Sequence, residues 1–272
     1  MVKYFYQDGL KIREGNIEVP PSSRSDLSSC YVFAFPKAGS VLVNNIVSEL
    51  MQESSVPVVD IPGYIFGKGI NLEAAVFDCR SLFVDSGYCY LGFRNIPPCF
   101  RGVLSKLQGP KILLVRDPRD MLVSNFYSLK VSHPFPKEGT DQFFSLVDME
   151  RSYTELSIDD FCISDAGVYR AVYDSYYELL DNENVRIIRY EDIIFEKFKF
   201  AQNICELFSL HIKPDRLNEI IAPFDVRRRA EIPTEHIRQV DPGDHRRKLQ
   251  ASTIEFLNIA FRDFMQKFGY QT

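Results

Sequence analysis

Tyr31-Val-Phe-Ala-Phe35-Pro36-Lys37-Ala38-Gly39-Ser40-Val41-Leu42 is the stretch on which the fold turns. Five apolar residues, long enough for a strand buried on both faces, run into Pro36, a lysine, a glycine and a hydroxyl residue. A helix follows at once: between Ser40 and Gln52 the apolar residues Val43, Ile46, Val47 and Leu50 recur three and four apart. A strand, tight loop and helix in that order aim free backbone N–H groups and the positive end of the helix dipole at one point. Lys37 adds a full charge there and Ser40 a hydroxyl donor, so an anion is expected in the loop. The common nucleoside-triphosphate loop has its lysine after the second glycine, whereas Lys37 precedes the one glycine here. On this stretch alone, a plain strand-to-helix turn with a surface lysine is an equal alternative.

A second stretch repeats the design. In Lys111-Ile-Leu-Leu-Val115-Arg116-Asp117-Pro118-Arg119-Asp120 a strand again ends in a cation, and Pro118 suits the first turn of a helix carrying Met121, Leu122 and Phe126 on its buried stripe. Arg116 offers a planar fork of donors suited to a phosphate, and Ser124 lies two helical turns past Asp117 on the same side. The competing reading pairs Arg116 with Asp117 or Asp120. Further strands are predicted at Tyr88–Phe93 and Arg186–Tyr190, and further helices at Ala166–Leu180, Phe198–Phe208 and Ser252–Phe268. This alternation predicts an α/β fold of three layers, α/β/α, with a central, mainly parallel sheet and a P-loop-like strand-loop-helix phosphate site. Ligands of such sheets gather at the carboxyl ends of the strands.

Composition narrows the function. The 272 residues are 45% apolar, enough for one sizeable core, and are read as a single domain over 1–272. No apolar run approaches the roughly 20 residues of a membrane span, and the start MVKYFYQDGLKIREGN has no secretory pattern, so a cytoplasmic protein without a membrane partner is expected. A net charge of −5 argues against a nucleic-acid partner. The six cysteines form no C-x-x-C pair and no histidine stands at ligand spacing, so no metal is expected and the thiols are read as reduced. The basic clusters Arg227-Arg228-Arg229 and Arg246-Arg247-Lys248 read as solvated faces.

Together the two loops resemble the sulfotransferase superfamily that uses 3′-phosphoadenosine 5′-phosphosulfate. Ala34-Phe35-Pro36-Lys37-Ala38-Gly39-Ser40-Val41-Leu42 matches the family's T-Y-P-K-S-G-T-T-W, and Arg116-Asp117-Pro118-Arg119-Asp120 through Val123-Ser124 and Phe126 matches R-N-P-K-D-x-x-V-S-x-Y. Arg189-Tyr190-Glu191-Asp192 resembles its Y-E-D segment, and Arg238 through Gly243-Asp244 its late R-K-G-x-x-G-D-W loop. The resemblance implies sulfuryl transfer to a small acceptor, with adenosine 3′,5′-bisphosphate as product and no metal. It implies that Lys37 and Ser40, with Ala38, Gly39, Val41 and Leu42 of the loop, hold the 5′-phosphosulfate, and that Arg116, Ser124 and Arg238 hold the 3′-phosphate. Tyr190 and Phe224 would lie against the adenine.

Departures from the family pattern bear on the acceptor side. Val41 and Leu42 replace a hydroxyl residue and an adenine-packing tryptophan, and Gln239, Val240 and His245 replace Lys, Gly and Trp of the late loop. The family's K-T-H-L-P segment corresponds to Phe93-Arg94-Asn95-Ile96-Pro97, and Asn95 cannot take a proton where the family has its histidine. Candidates for the base are Asp60, Glu73, Asp78, Asp85 and His133. The acceptor pocket is expected from loops at Asp60–Asn71, His133–Thr140 and Asp148–Asp160. Their aromatic and acidic content points to a partly apolar organic molecule with an amine or guanidinium, such as an alkaloid natural product. A nucleotide or small-molecule kinase and a catalytically silent sulfonucleotide-binding protein are the rival readings. Magnesium dependence would mark the first, and absence of turnover the second.

Overall fold

The computed structural model describes residues 11–13, 16–70, 82–131, 137–180, 184–225 and 240–272. A small antiparallel hairpin, β1 (Lys11–Arg13) and β2 (Asn16–Glu18), precedes the main sheet. That sheet contains β3 (Cys30–Ala34), β4 (Val58–Val59), β5 (Cys89–Phe93), β6 (Lys111–Val115) and β7 (Val185–Arg189), in the order β4-β5-β3-β6-β7. Every pairing in it is parallel. Strands β3 and β6 are buried at every position, which is why their sequences read as unbroken apolar runs rather than alternating ones. Lys111 is the exception: its buried amine caps the carbonyls of Leu107 and Gly109.

Twelve α-helices cover the sheet among the described residues. They are α1 (Ser40–Glu53), α2 (Ile61–Gly67), α3 (Pro118–Val131), α4 (Asp141–Thr154), α5 (Ile158–Ser175), α6 (Tyr177–Leu180), α7 (Tyr190–Ile193), α8 (Lys197–Leu207), α9 (Pro214–Ile221), α10 (His245–Lys248), α11 (Ala251–Ala260) and α12 (Arg262–Phe268). Helix α1 packs with α8 and α9, while α5 packs with both α3 and α11. From β3 the chain crosses through α1 towards β4 at one edge, and from β6 through α3 to α6 towards β7 at the other. Right-handed crossovers in opposite directions put those helices on opposite faces, giving three layers. Strand order therefore reverses at β3, and its carboxyl end opens into the crevice where such sheets bind ligands.

Several predicted boundaries move. Helix α5 begins eight residues before Ala166, capped by Ser157, whose hydroxyl accepts from the Asp160 amide at 3.1 Å. The helix predicted over Ser252–Phe268 is two helices broken at Phe261. Two segments read as acceptor loops are largely helical: Asp60–Asn71 contains α2, and Asp148–Asp160 runs through the end of α4 into α5. Cys30, Cys89, Cys162 and Cys205 are buried free thiols and Cys99 is half-buried, whereas Cys79 lies outside the described residues. No helix of the described residues is long and apolar enough to cross a membrane.

Candidate functional site

The carboxyl ends of β3, β5 and β6 build the site. Past Ala34 the chain turns through Lys37, whose φ of 62° lies in the left-handed region that costs a residue with a Cβ roughly 1–2 kcal/mol. Gly39 follows at φ 94° as N-cap of α1, and no side chain caps that helix, which leaves its first amides to a ligand. Glycine is required here by the sign of φ and by space: a Cβ at Gly39 would come within 2.8 Å of the Tyr190 ring. Gly39→Ala is accordingly expected to destabilise the fold by at least about 1–2 kcal/mol, read as a fall in the denaturant midpoint at unchanged slope. An unchanged midpoint would mean that the loop relaxes freely.

Lys37 and Arg116 converge. Arg116, the first residue after β6, is buried, and its Nη1 donates to the Lys37 carbonyl oxygen at 3.2 Å. Its guanidinium lies over Tyr190, 4.5 Å from the ring centroid, and its Nε has no hydrogen-bond partner among the described residues. Neither acid beside it in the sequence neutralises it closely. Asp117 is taken by Arg119, at 2.9 and 2.7 Å, and Arg119 reaches on to Asn258 and the Gln271 carbonyl. Asp120 approaches Arg116 only to 3.9 Å, because its oxygens accept from the Gly243 amide at 2.6 Å and the His245 amide at 2.9 Å, with His245 Nδ1 at 2.6 Å. Burial would raise the Asp120 carboxyl, but the bonds from His245 and the charge of Arg116 prevail and hold it at about 2. Lys37 is half-buried; burial first, then the charges of Arg94 and Arg116, pull its amine down to about 8. An excess of positive charge thus collects at the end of β3, where the uncapped helix also points.

The other predicted donor residues surround this point unequally. Ala38 is buried in the loop before the N-cap, and in the first turn of α1 Ser40 is buried and Val41 half-buried. Leu42 packs with Tyr190, Ile194 and Val240. Tyr190 opens α7, donates its hydroxyl to the Val240 carbonyl at 2.8 Å, and is pushed up to about 12 by burial. It joins the first loop, Arg116 and the late loop. Ser124 is half-buried on α3, and Phe224 ends a short 3₁₀ turn, half-buried against the core. Arg238 lies outside the described residues, as do Arg227, Arg228 and Arg229.

Of the candidate bases, Asp60 is at the strand ends. It follows β4, caps α2 by accepting from the Gly63 amide at 2.7 Å, and lies over Gly92 of β5 so closely that a Cβ there would sit 1.9 Å from Oδ1. Burial raises its carboxyl to about 6 against the lowering pull of the Gly63 amide and of Arg94. Asp85 stands before β5, with its carbonyl bonded to the Ser29 amide just ahead of β3, at the opposite end of the sheet. Glu73, Asp78 and His133 lie outside the described residues. Among the described residues no group of three or more His, Cys, Asp or Glu could hold a metal ion.

Three features escaped the sequence reading. Arg94 leaves β5 beside the Lys37 loop, a position that follows only from the pairing of Phe33 with Phe93. Tyr169 of α5 is buried, its hydroxyl without a hydrogen-bond partner among the described residues, in the field of Asp165 and, less strongly, of Arg116 and Arg94. The Asp120–His245 contact joins residues 125 apart in the chain, so His245 fixes the late loop by bonding where a tryptophan would pack. A groove of about 420 Å³ lined by Ile96, Phe100, Arg101, Leu104 and Glu178 lies apart from these residues.

Comparison with known proteins bears on the same elements. A family model described as sulfotransferase domain matches residues 107–269. No protein of curated function matches the chain in sequence. Mouse sulfotransferase SULT7A1, solved in complex with PAP, superposes with a TM-score of 0.55 at 13% identity over 94% of each chain. Retinol dehydratase in complex with androsterone and PAP is similar over 87% of this chain and 80% of its own, at 12% identity and a TM-score of 0.48. A sulfotransferase from Alicyclobacillus acidocaldarius covers 72% of this chain and 90% of its own, at 16% identity and a TM-score of 0.40.

Proposed function

The chain belongs to the sulfotransferase family, and from that premise we propose that it moves a sulfuryl group from 3′-phosphoadenosine 5′-phosphosulfate to a hydroxyl or nitrogen of a small organic acceptor in the cytoplasm. The observation that carries the donor is the hydrogen bond from Arg116 to the Lys37 carbonyl, which joins two cation-bearing strand ends into one anion site. A donor with phosphate at both its 5′ and 3′ positions needs two cationic cradles side by side. The orphaned Nε of Arg116 and the amine of Lys37 fit that demand. PAP bound to the mouse relative agrees with it.

In this reading Lys37, Ser40 and the amides of residues 38–42 hold the 5′ side, and Arg116 and Ser124 hold the 3′-phosphate. Tyr190, Leu42 and Phe224 flank the adenine, and Arg238 would close over the 3′-phosphate. The donor supplies the sulfuryl group and leaves as the bisphosphate. The S–O bond to its phosphate breaks as a new bond forms to the acceptor atom, and the acceptor proton passes to Asp60. Lys37 neutralises charge on the leaving oxygen. Single-domain organisation over 1–272 belongs to the same proposal.

Calorimetric titration with adenosine 3′,5′-bisphosphate in excess chelator tests the donor, and its release from the sulfated donor with phenols, alcohols and amines tests transfer. Binding with release is expected. Binding without release from any acceptor leaves a silent sulfonucleotide-binding protein, and a magnesium requirement would sink the donor assignment.

A further inference from the structure

We propose that Arg94 is a specificity-determining residue that takes an anionic group of the acceptor, so that the preferred acceptors carry a carboxylate or comparable anion beside the atom that is sulfated. The inference rests on the sulfotransferase reading and narrows its substrate class. Strand β5 lies between β3 and β4, and Arg94 is its first residue beyond the sheet. On one side, the pairing of Phe33 with Phe93 brings it out alongside the Lys37 loop. On the other, Asp60 overlies Gly92, two residues before it. Arg94 thus lies between the lysine that faces the transferred group and the carboxylate that faces the acceptor, and its charge acts on both.

Arg94 is the cation left over once the donor is accounted for. Lys37 and Arg116 answer the two ends of the donor, while Arg94 is exposed and has no carboxylate within 4.0 Å among the described residues. Asp60 feels the charge of Arg94 without an ion pair within 4.0 Å among the described residues, and its Oδ1 accepts from the Gly63 amide. Tyr176, beneath Arg94, is likewise committed, with its hydroxyl on the carbonyls of Ala34 and Phe93 at 2.9 and 3.4 Å. A guanidinium presents a planar fork that matches a carboxylate, sulfate or phosphate and repels an amine or another guanidinium. The acidic residues that favoured a cationic acceptor in sequence do not change this. Asp148 sits exposed on α4, in contact with Arg151, and Asp160 is bound to Ser157.

The test uses acid and methyl-ester pairs of a phenol, a benzylic alcohol and an arylamine, with adenosine 3′,5′-bisphosphate release followed for wild type, Arg94→Gln, Arg94→Lys and the control Arg101→Gln. Wild type is expected to favour each reactive acid over its ester by about tenfold to a hundredfold in kcat/KM, carried by KM, the usual value of a charge-assisted contact. Arg94→Gln should bring the ratio to about one, Arg94→Lys should keep part of it, and Arg101→Gln should leave it alone. A ratio near one in wild type, or a preference that survives Arg94→Gln, overturns the proposal. So does equal slowing of acid and ester, which would put Arg94 on the sulfuryl group instead. Turnover with no pair while the bisphosphate still binds also overturns it, whereas loss of bisphosphate binding itself refutes the donor reading beneath it.

Discussion

Lys37→Ala is expected to lower turnover by roughly 10²–10³-fold, the cost of removing one charge-stabilising donor from a developing oxyanion. The expectation comes from where the side chain is held. Residue 37 adopts φ 62°, a conformation that a lysine occupies only at a cost, and the surrounding turn keeps it there between Phe35 and the N-cap of α1. Burial and two neighbouring guanidiniums leave it deprotonating near pH 8, so it is a cation at neutral pH that gains from meeting an anion. The loss should appear in kcat at saturating donor more than in donor affinity, because Arg116, Ser124 and the loop amides remain. Steady-state kinetics with radiolabelled donor measures both. Turnover near that of wild type would remove Lys37 from the chemistry. Since alanine shares the cost of the positive φ, a fall in kcat cannot be put down to backbone strain, and Lys37→Arg, which keeps charge but changes reach, should recover part of it.

How far the sequence could be read depended on whether a feature is local. Cys30–Ala34 and Lys111–Val115 are buried end to end, so each shows as an apolar run closed by a charged or proline-bearing loop, and the helix starting at Ser40 carries its own period. Val58–Val59 is two residues long, too short for any period, yet it is this edge strand that delivers Asp60 to the site. The break at Phe261 was hidden because Leu257, Phe261, Phe264 and Phe268 keep helical spacing straight through it. Ser157 with Asp160 three residues on was a visible helix start, overlooked in favour of an acceptor loop. Within the site, Lys37, Ser40 and Arg116 announce themselves at strand ends. Arg94, Tyr169 and the Asp120–His245 contact do not, since each acquires meaning only from strand register or from partners far away in the chain.

Asp60→Asn is expected to lower kcat by about 10²–10⁴-fold, the usual worth of a positioned general base. The substitution separates chemistry from structure. Asp60 caps α2 through the Gly63 amide, and asparagine caps equally well and has the same shape against Gly92, so the fold should stand. What asparagine cannot do is accept the acceptor's proton, and Asn95 offers no substitute. The pH profile gives the sharper test. Wild-type Asp60 protonates near pH 6, so activity should fall as pH drops below that value; Lys37 loses its proton near pH 8, so kcat/KM for the donor should fall above it. Asp60→Asn should abolish the acid limb and keep the alkaline one. An acid limb that persists with kcat intact would assign the proton to another residue, with Glu73 and His133 next to be replaced. Were kcat to fall while the acid limb stayed, Asp60 would position the acceptor through Gly92 and Arg94 rather than take its proton.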